Sequence, residues 1–158
     1  MQAGLKSDDV FRAELARTMA SLNQWAKSHE ECAATSIRSA LGYWKMAVSP
    51  LTPGACPFEL QLRSDQRYDL AIAGEFYEDR QIGNFGMFPA LTAAIAAGHV
   101  SRILTTSALT GALQSLETSL TLADGAAWSA SRSLAPEHQR CPLEFEVKEV
   151  RRFLPYRR

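Results

Sequence analysis

The chain has 158 residues with 46% apolar and 22% charged content, which is one domain's worth of core and excludes intrinsic disorder and collagen-like architecture. No run of about 18 uncharged apolar residues is present, so no transmembrane helix is expected. The formal net charge is zero, which argues against a whole-surface attraction to nucleic acid or to an anionic membrane. The opening MQAGLKSDDVF lacks the apolar stretch of a secretory signal, and the expected location is cytoplasmic.

The zero balance hides an asymmetry. From residue 148 onward five cations (Lys148, Arg151, Arg152, Arg157, Arg158) face one acid, Glu149, so this end carries +4 and the remainder −4. Such a basic end can dock on phosphate or on an acidic partner, and the simpler reading is a solvated tail pairing with the protein's own acidic surface. The cysteine count is three, an odd number. A cytoplasmic chain keeps thiols reduced, so no structural disulfide is expected.

Ser7-Asp8-Asp9 has the signature of a helix start, with a capping hydroxyl and two acids against the positive end of the dipole. Val10, Phe11, Leu15, Met19, Leu22, Trp25 and Ala26 then recur every three or four residues, predicting a helix over about 8–28. Residues 34–49 carry two periods. Ile37, Leu41, Trp44 and Val48 have helical spacing, whereas Trp44, Met46 and Val48 alternate as in a strand. Gly42 and the pair Tyr43-Trp44 favour a strand, placed at 41–49. The proline-rich SPLTPGACP next to it is a loop.

Phe58, Leu60 and Leu62 alternate with Glu59, Gln61 and Arg63, and Tyr68, Leu70 and Ile72 resume the pattern after Ser64-Asp65-Gln66. This predicts a hairpin of 57–63 with 67–77. Gly83-Asn84-Phe85-Gly86 is a loop, Pro89 suits the first turn of a short helix, and Gly98 stops it. A strand is expected over Val100–Thr110. The 112–131 segment forms a hairpin about Ala123-Asp124-Gly125, and Leu143, Phe145 and Val147 mark a last strand. The order helix, strands, short helix, strands indicates a single α+β domain. Its expected architecture is a mainly antiparallel, curved sheet of five to six strands with a long N-terminal helix and a short central one. A parallel βαβ unit over 68–110 is the competing arrangement.

No motif of high chemical specificity occurs. His29/Cys32 and His138/Cys141 repeat one spacing, and histidine with cysteinate makes good zinc ligands. These are not the CxxC knuckles of a zinc ribbon, however, and the reading taken is exposed histidines with thiols packed as small apolar groups. No metal or cofactor is expected. Glu75, Glu78 and Asp79 cluster near Arg80 and Asp69. Paired carboxylates can serve as general acid and base, so a small hydrolase or isomerase using these acids with a histidine is the alternative function. The glycine loop matches neither GxGxxG nor the phosphate loop with its Lys-Ser/Thr ending, and His99 sits at a helix end.

The favoured reading is a non-enzymatic module that binds a small molecule or a protein partner. Its contact region is placed at the aromatic glycine loop, with Gly83, Phe85 and Gly86 beside Tyr43, Trp44 and Tyr77 as walls; plain core is the competing fate of Trp44. Thr118, Ser119 and Thr121 give the 112–131 hairpin an uncharged hydroxyl surface suited to burial. A twofold homodimer through that hairpin is therefore expected.

Overall fold

The structure is a computed structural model and describes residues 5–134 and 146–157. Helix α1 spans Asp8–Ser28 and is followed by strands β1 (Ala33–Ala40), β2 (Tyr43–Pro50), β3 (Phe58–Arg63), β4 (Arg67–Ile72) and β5 (Glu75–Gln81). Helix α2 (Met87–Ala96) leads to β6 (Val100–Ser107), β7 (Leu113–Thr121), β8 (Ala127–Ser133) and β9 (Glu146–Arg152). The class is α+β and the named strands pair antiparallel, as the alternation predicts. They form two sheets rather than one: a five-stranded meander, β1-β2-β3-β4-β5, and a four-stranded sheet ordered β8-β7-β6-β9. The parallel unit over 68–110 does not form, because β6 enters the second sheet and runs antiparallel to β7 and β9.

Two boundaries differ from the sequence reading. The strand placed at 41–49 is β2, Tyr43–Pro50, and Leu41-Gly42, with Gly42 at φ +92°, is the turn joining it to β1, a preceding strand that the sequence reading did not place. The long arm 67–77 breaks at Ala73-Gly74. Both residues have positive φ, 55° and 83°, the backbone of a two-residue hairpin turn whose twist matches the flanking strands. Past this turn the chain runs back as the separate strand β5.

Alternation in the first sheet places one face in the core. Met46, Leu60 and Leu70 are opposite one another across β2, β3 and β4 and all have 0% exposure. Truncating any of them to alanine costs about 2–5 kcal/mol through lost contacts and the cavity left behind. The two helices supply much of the cover, α1 with Phe11, Leu22 and Ala26 and α2 with Phe88, Leu91 and Ile95. Val10, on the predicted apolar stripe, is exposed, and Thr18 is buried on α1 instead.

The two sheets meet where β5 lies against β7 and β8. Tyr77 shares a hydrogen bond with the Thr118 hydroxyl at 2.9 Å, and Trp128 Nε1 donates to the Tyr68 hydroxyl at 3.1 Å. Beyond β9 the chain crosses the end of α2. Phe153 N–H donates to Val100 O, Leu154 N–H to Gly54 O and Tyr156 N–H to Ala96 O, while the Tyr156 hydroxyl donates to Cys56 O at 2.6 Å. This strap is why the buried Tyr156 belongs to the core although its segment has no strand pattern. No helix among the described residues is long and apolar enough to cross a membrane.

Candidate functional site

The aromatic glycine loop is anchored inward. Phe85 is buried and lies with its ring 5.5 Å from that of Phe11 and 6.2 Å from that of Phe88. Gly83 and Gly86 are exposed. The Asn84 side chain accepts the Gly86 N–H at 2.9 Å, so a local turn satisfies that donor. Trp44 and Tyr77 are buried as well: Trp44 faces the core between Ser39 and Leu62, and Tyr77 contacts Trp128 edge-on at 5.7 Å. Of the six residues singled out in the sequence, Tyr43 is the apolar one whose side chain reaches solvent, at 38% exposure.

The acids on β5 have separate partners. Glu75 pairs with Arg132 at 3.1 Å. Asp79 sits at φ +56° in a bulge opposite Asp69 and pairs with Arg63. Arg63 also contacts Asp65 and, at 3.5 Å, Asp69, whose carboxylate accepts the Asp79 N–H at 2.9 Å. One guanidinium thus holds three aspartates together, and its pKa is pushed up, chiefly by Asp79 and then Asp65. This is an ion cluster fixing a β-bulge. Glu78 is exposed.

His29 stacks on Trp25 at 4.3 Å, and its Nδ1 lies 2.8 Å from Trp25 O, which makes that nitrogen a donor. Cys32 is buried and turns its thiol to His29 O. His138 and Cys141 lie outside the described residues, and no group of three or more metal-binding side chains occurs among the described ones. Burial pushes the Cys56 thiol up to about 12, well above the range of a reactive thiolate.

The sheet edges are more informative. An edge strand exposes unpaired N–H and C=O groups, and charges or bulges normally guard it. β5 has Glu75, Glu78, Asp79 and a bulge; all seven residues of β9 are exposed and it carries five charges. Along β8, Tyr77, Arg80 and Glu75 of β5 cover the Ala130, Trp128 and Arg132 positions. β1 differs from all three. Its sequence, AATSIRSA, holds one charge and no proline, and Ser36–Ala40 are exposed on both faces. Ile37 is 40% exposed, and Leu41 at the adjoining turn is fully so.

Beside this edge a groove of about 340 Å³ separates β1 from α1, with Ala33, Thr35 and Ile37 on one wall and Asn23, Ala26, Lys27 and Glu30 on the other. The Thr35 hydroxyl is buried there with no hydrogen-bond partner. Sequence reasoning missed β1 because a strand with solvent on both faces shows no alternation. The signals present were the β-branched Thr35 and Ile37 and the glycine of the turn. No protein-family model, curated protein or solved structure matches this chain.

Proposed function

We propose that this chain is a non-enzymatic binding module that takes an extended segment of a protein partner as an added strand on β1. The observation that carries the reading is the five consecutive residues Ser36–Ala40, exposed on both faces of an edge with a single charge. Each backbone hydrogen bond formed there contributes a net ~0.5–1.5 kcal/mol, while ordering each residue of the incoming segment costs ~1–2 kcal/mol. Backbone pairing alone therefore about breaks even, and side chains decide whether a segment binds. Ile37 and the groove against α1 favour an apolar side chain on the inner face. Arg38 favours a carboxylate on the outer face; its cross-strand neighbour Lys45 already pairs with Glu59 at 2.6 Å. The partner segment thus alternates acidic and apolar residues, and Tyr43 and Leu41 at the turn extend its apolar contact.

The test is an amide NMR titration with an acetylated nonapeptide of alternating glutamate and valine. Shifts confined to β1, the Leu41-Gly42 turn and the facing side of α1, abolished by Ile37→Asp, support the reading. Absence of shifts at about 1 mM peptide, or shifts centred elsewhere, contradicts it. The free buried thiols of Cys32 and Cys56 support a reducing, cytoplasmic setting.

A second association is favoured by the outer face of β7 and β8. There Ser119 is opposite Ser129, and Glu117 is opposite Ser131 in the next row. A face so rich in hydroxyls is cheaper to bury than a charged one, and the proposed homodimer through the 112–131 hairpin uses it. Light scattering at micromolar concentration reads the mass. Twice 17.4 kDa, reverting to the monomer value in Ser129→Lys, supports the dimer; a monomer mass for the unaltered chain refutes it.

A further inference from the structure

The outer face of the second sheet ends in a cleft of about 420 Å³, within the size range of small-molecule sites. Strand pairing dictates what lines it. Ser101 on β6 is directly opposite Arg152 on β9, and Ile103 is opposite Val150. Thr121 N–H donates to His99 O at 3.2 Å, extending the β6–β7 ladder one residue beyond β6. Since alternate residues of a strand share a face, His99, Ser101, Thr121, Val150 and Arg152 all project outward together. Their neighbours Val100 and Leu120 point into the core. Three strands thus bring an imidazole, two hydroxyls and a guanidinium to one spot, beside one apolar wall.

The charge around the cleft has one sign. Among the described residues no carboxylate lines it. Glu149 sits opposite Leu104 on the other face of the sheet and pairs with Arg151 at 3.2 Å. Arg152 consequently forms no ion pair among the described residues. Glu117, on the same outer face, stands one row away and accepts a hydrogen bond from Ser119. The C-terminal end of α2 borders the cleft, but the carbonyls of Ala93, Ala94, Ile95 and Ala96 all accept backbone N–H groups. Its negative end is accordingly blunted.

We infer that this cleft binds a small organic phosphate. The guanidinium of Arg152 takes two phosphoryl oxygens, the Ser101 and Thr121 hydroxyls and a His99 ring N–H donate to the group, and the organic part rests on Val150. Donors converge from three strands, and a tetrahedral phosphoryl group offers three terminal oxygens to meet them. A carboxylate, with two coplanar oxygens, satisfies fewer. The inference is independent of strand addition, since the cleft and β1 lie on different sheets.

The experiment is isothermal titration at constant ionic strength with phenyl phosphate, inorganic phosphate, benzoate and phenol as separate probes. Phenyl phosphate is expected to bind tightest, because it alone joins the phosphoryl group to an apolar body. Arg152→Met should weaken it about ten-fold or more, and Ser101→Ala or Thr121→Val about three- to ten-fold each. Arg67→Met, which removes an exposed cation on the other sheet, should leave it unchanged. Circular dichroism checks that Arg152→Met stays folded, as expected for an exposed side chain that forms no ion pair among the described residues. The proposal is overturned if phenyl phosphate gives no binding at about 5 mM. It is equally overturned if Arg152→Met binds like the parent, or if benzoate binds as tightly as phenyl phosphate.

Discussion

Gly98 is the position where one methyl group does the most damage for its size. It closes α2 at φ +80°, and an added Cβ would lie 2.8 Å from Pro155 N and 3.1 Å from both Leu154 C and Phe153 O. Alanine at such a φ costs ~1–2 kcal/mol from backbone sterics alone. The three close atoms are all backbone, so relief requires moving the strap. That strains the Phe153-to-Val100 and Tyr156-to-Ala96 hydrogen bonds, each contributing a net ~0.5–1.5 kcal/mol. Gly98→Ala is thus expected to cost about 3–4 kcal/mol, and a thermal melt should fall by roughly 6–16 °C at this chain length. Gly74→Ala isolates the conformational part: its φ is +83°, and an added Cβ meets nothing within 4 Å. That variant should lose only about 1–2 kcal/mol. Equal losses in the two variants, measured by urea unfolding, would refute the close approach of the strap to α2.

The buried thiol and the aspartate cluster have consequences of their own. Burial raises Cys56 from 9.0 to about 12, so above pH 9 the unfolded chain loses the thiol proton first. The stability this burial confers is therefore intact below pH 9 and drains away as pH rises toward 12. The urea midpoint should fall between pH 9 and 11, less steeply in Cys56→Ala, and parallel slopes would contradict the assignment. Iodoacetamide should label Cys56 at pH 8 only after denaturant is added, and prompt labelling of the native protein, mapped by mass spectrometry, would place the thiol outside the core. Asp69→Ala should destabilise more than Asp79→Ala, by about 1 kcal/mol or more. The Asp69 side chain is 11% exposed and holds the bulge N–H, whereas that of Asp79 is 54% exposed. The reverse order in chemical unfolding would count against the bulge as the purpose of the cluster.

The fold was legible in the sequence wherever one face of an element met the core and the other met water. Ser7-Asp8-Asp9 and the apolar stripe behind it locate α1, which runs Asp8–Ser28, and the alternation of Phe58, Leu60 and Leu62 locates β3. Legibility failed where that contrast is missing. Beyond Ala33 and the half-buried Thr35, β1 has no buried side, so its residues show no period. Ala73-Gly74 carries a weaker turn signal than Asn-Gly, and the apolar phase slips there, from Ile72 to Tyr77. Trp44, Tyr77 and Phe85 read equally as pocket wall or core, because their burial depends on elements distant in sequence: Tyr77 is covered by Trp128, and Phe85 by Phe11. The cleft at His99 was invisible for the same reason. It joins residues on three strands, and His99 and Arg152 are neighbours only through the β6–β9 register.

Strand addition on β1 is tested most directly by altering the partner's backbone and leaving its side chains alone. Two versions of the glutamate–valine nonapeptide are compared with the parent by NMR-monitored titration, one N-methylated at its glutamate amides and the other at its valine amides. In an added antiparallel strand alternate N–H groups face the edge and the rest face solvent. One version should therefore lose about ten-fold or more in affinity, while the other stays within about three-fold of the parent. Equal affinity for both methylated versions and the parent would mean that β1 offers no strand pairing, and the central claim would fall.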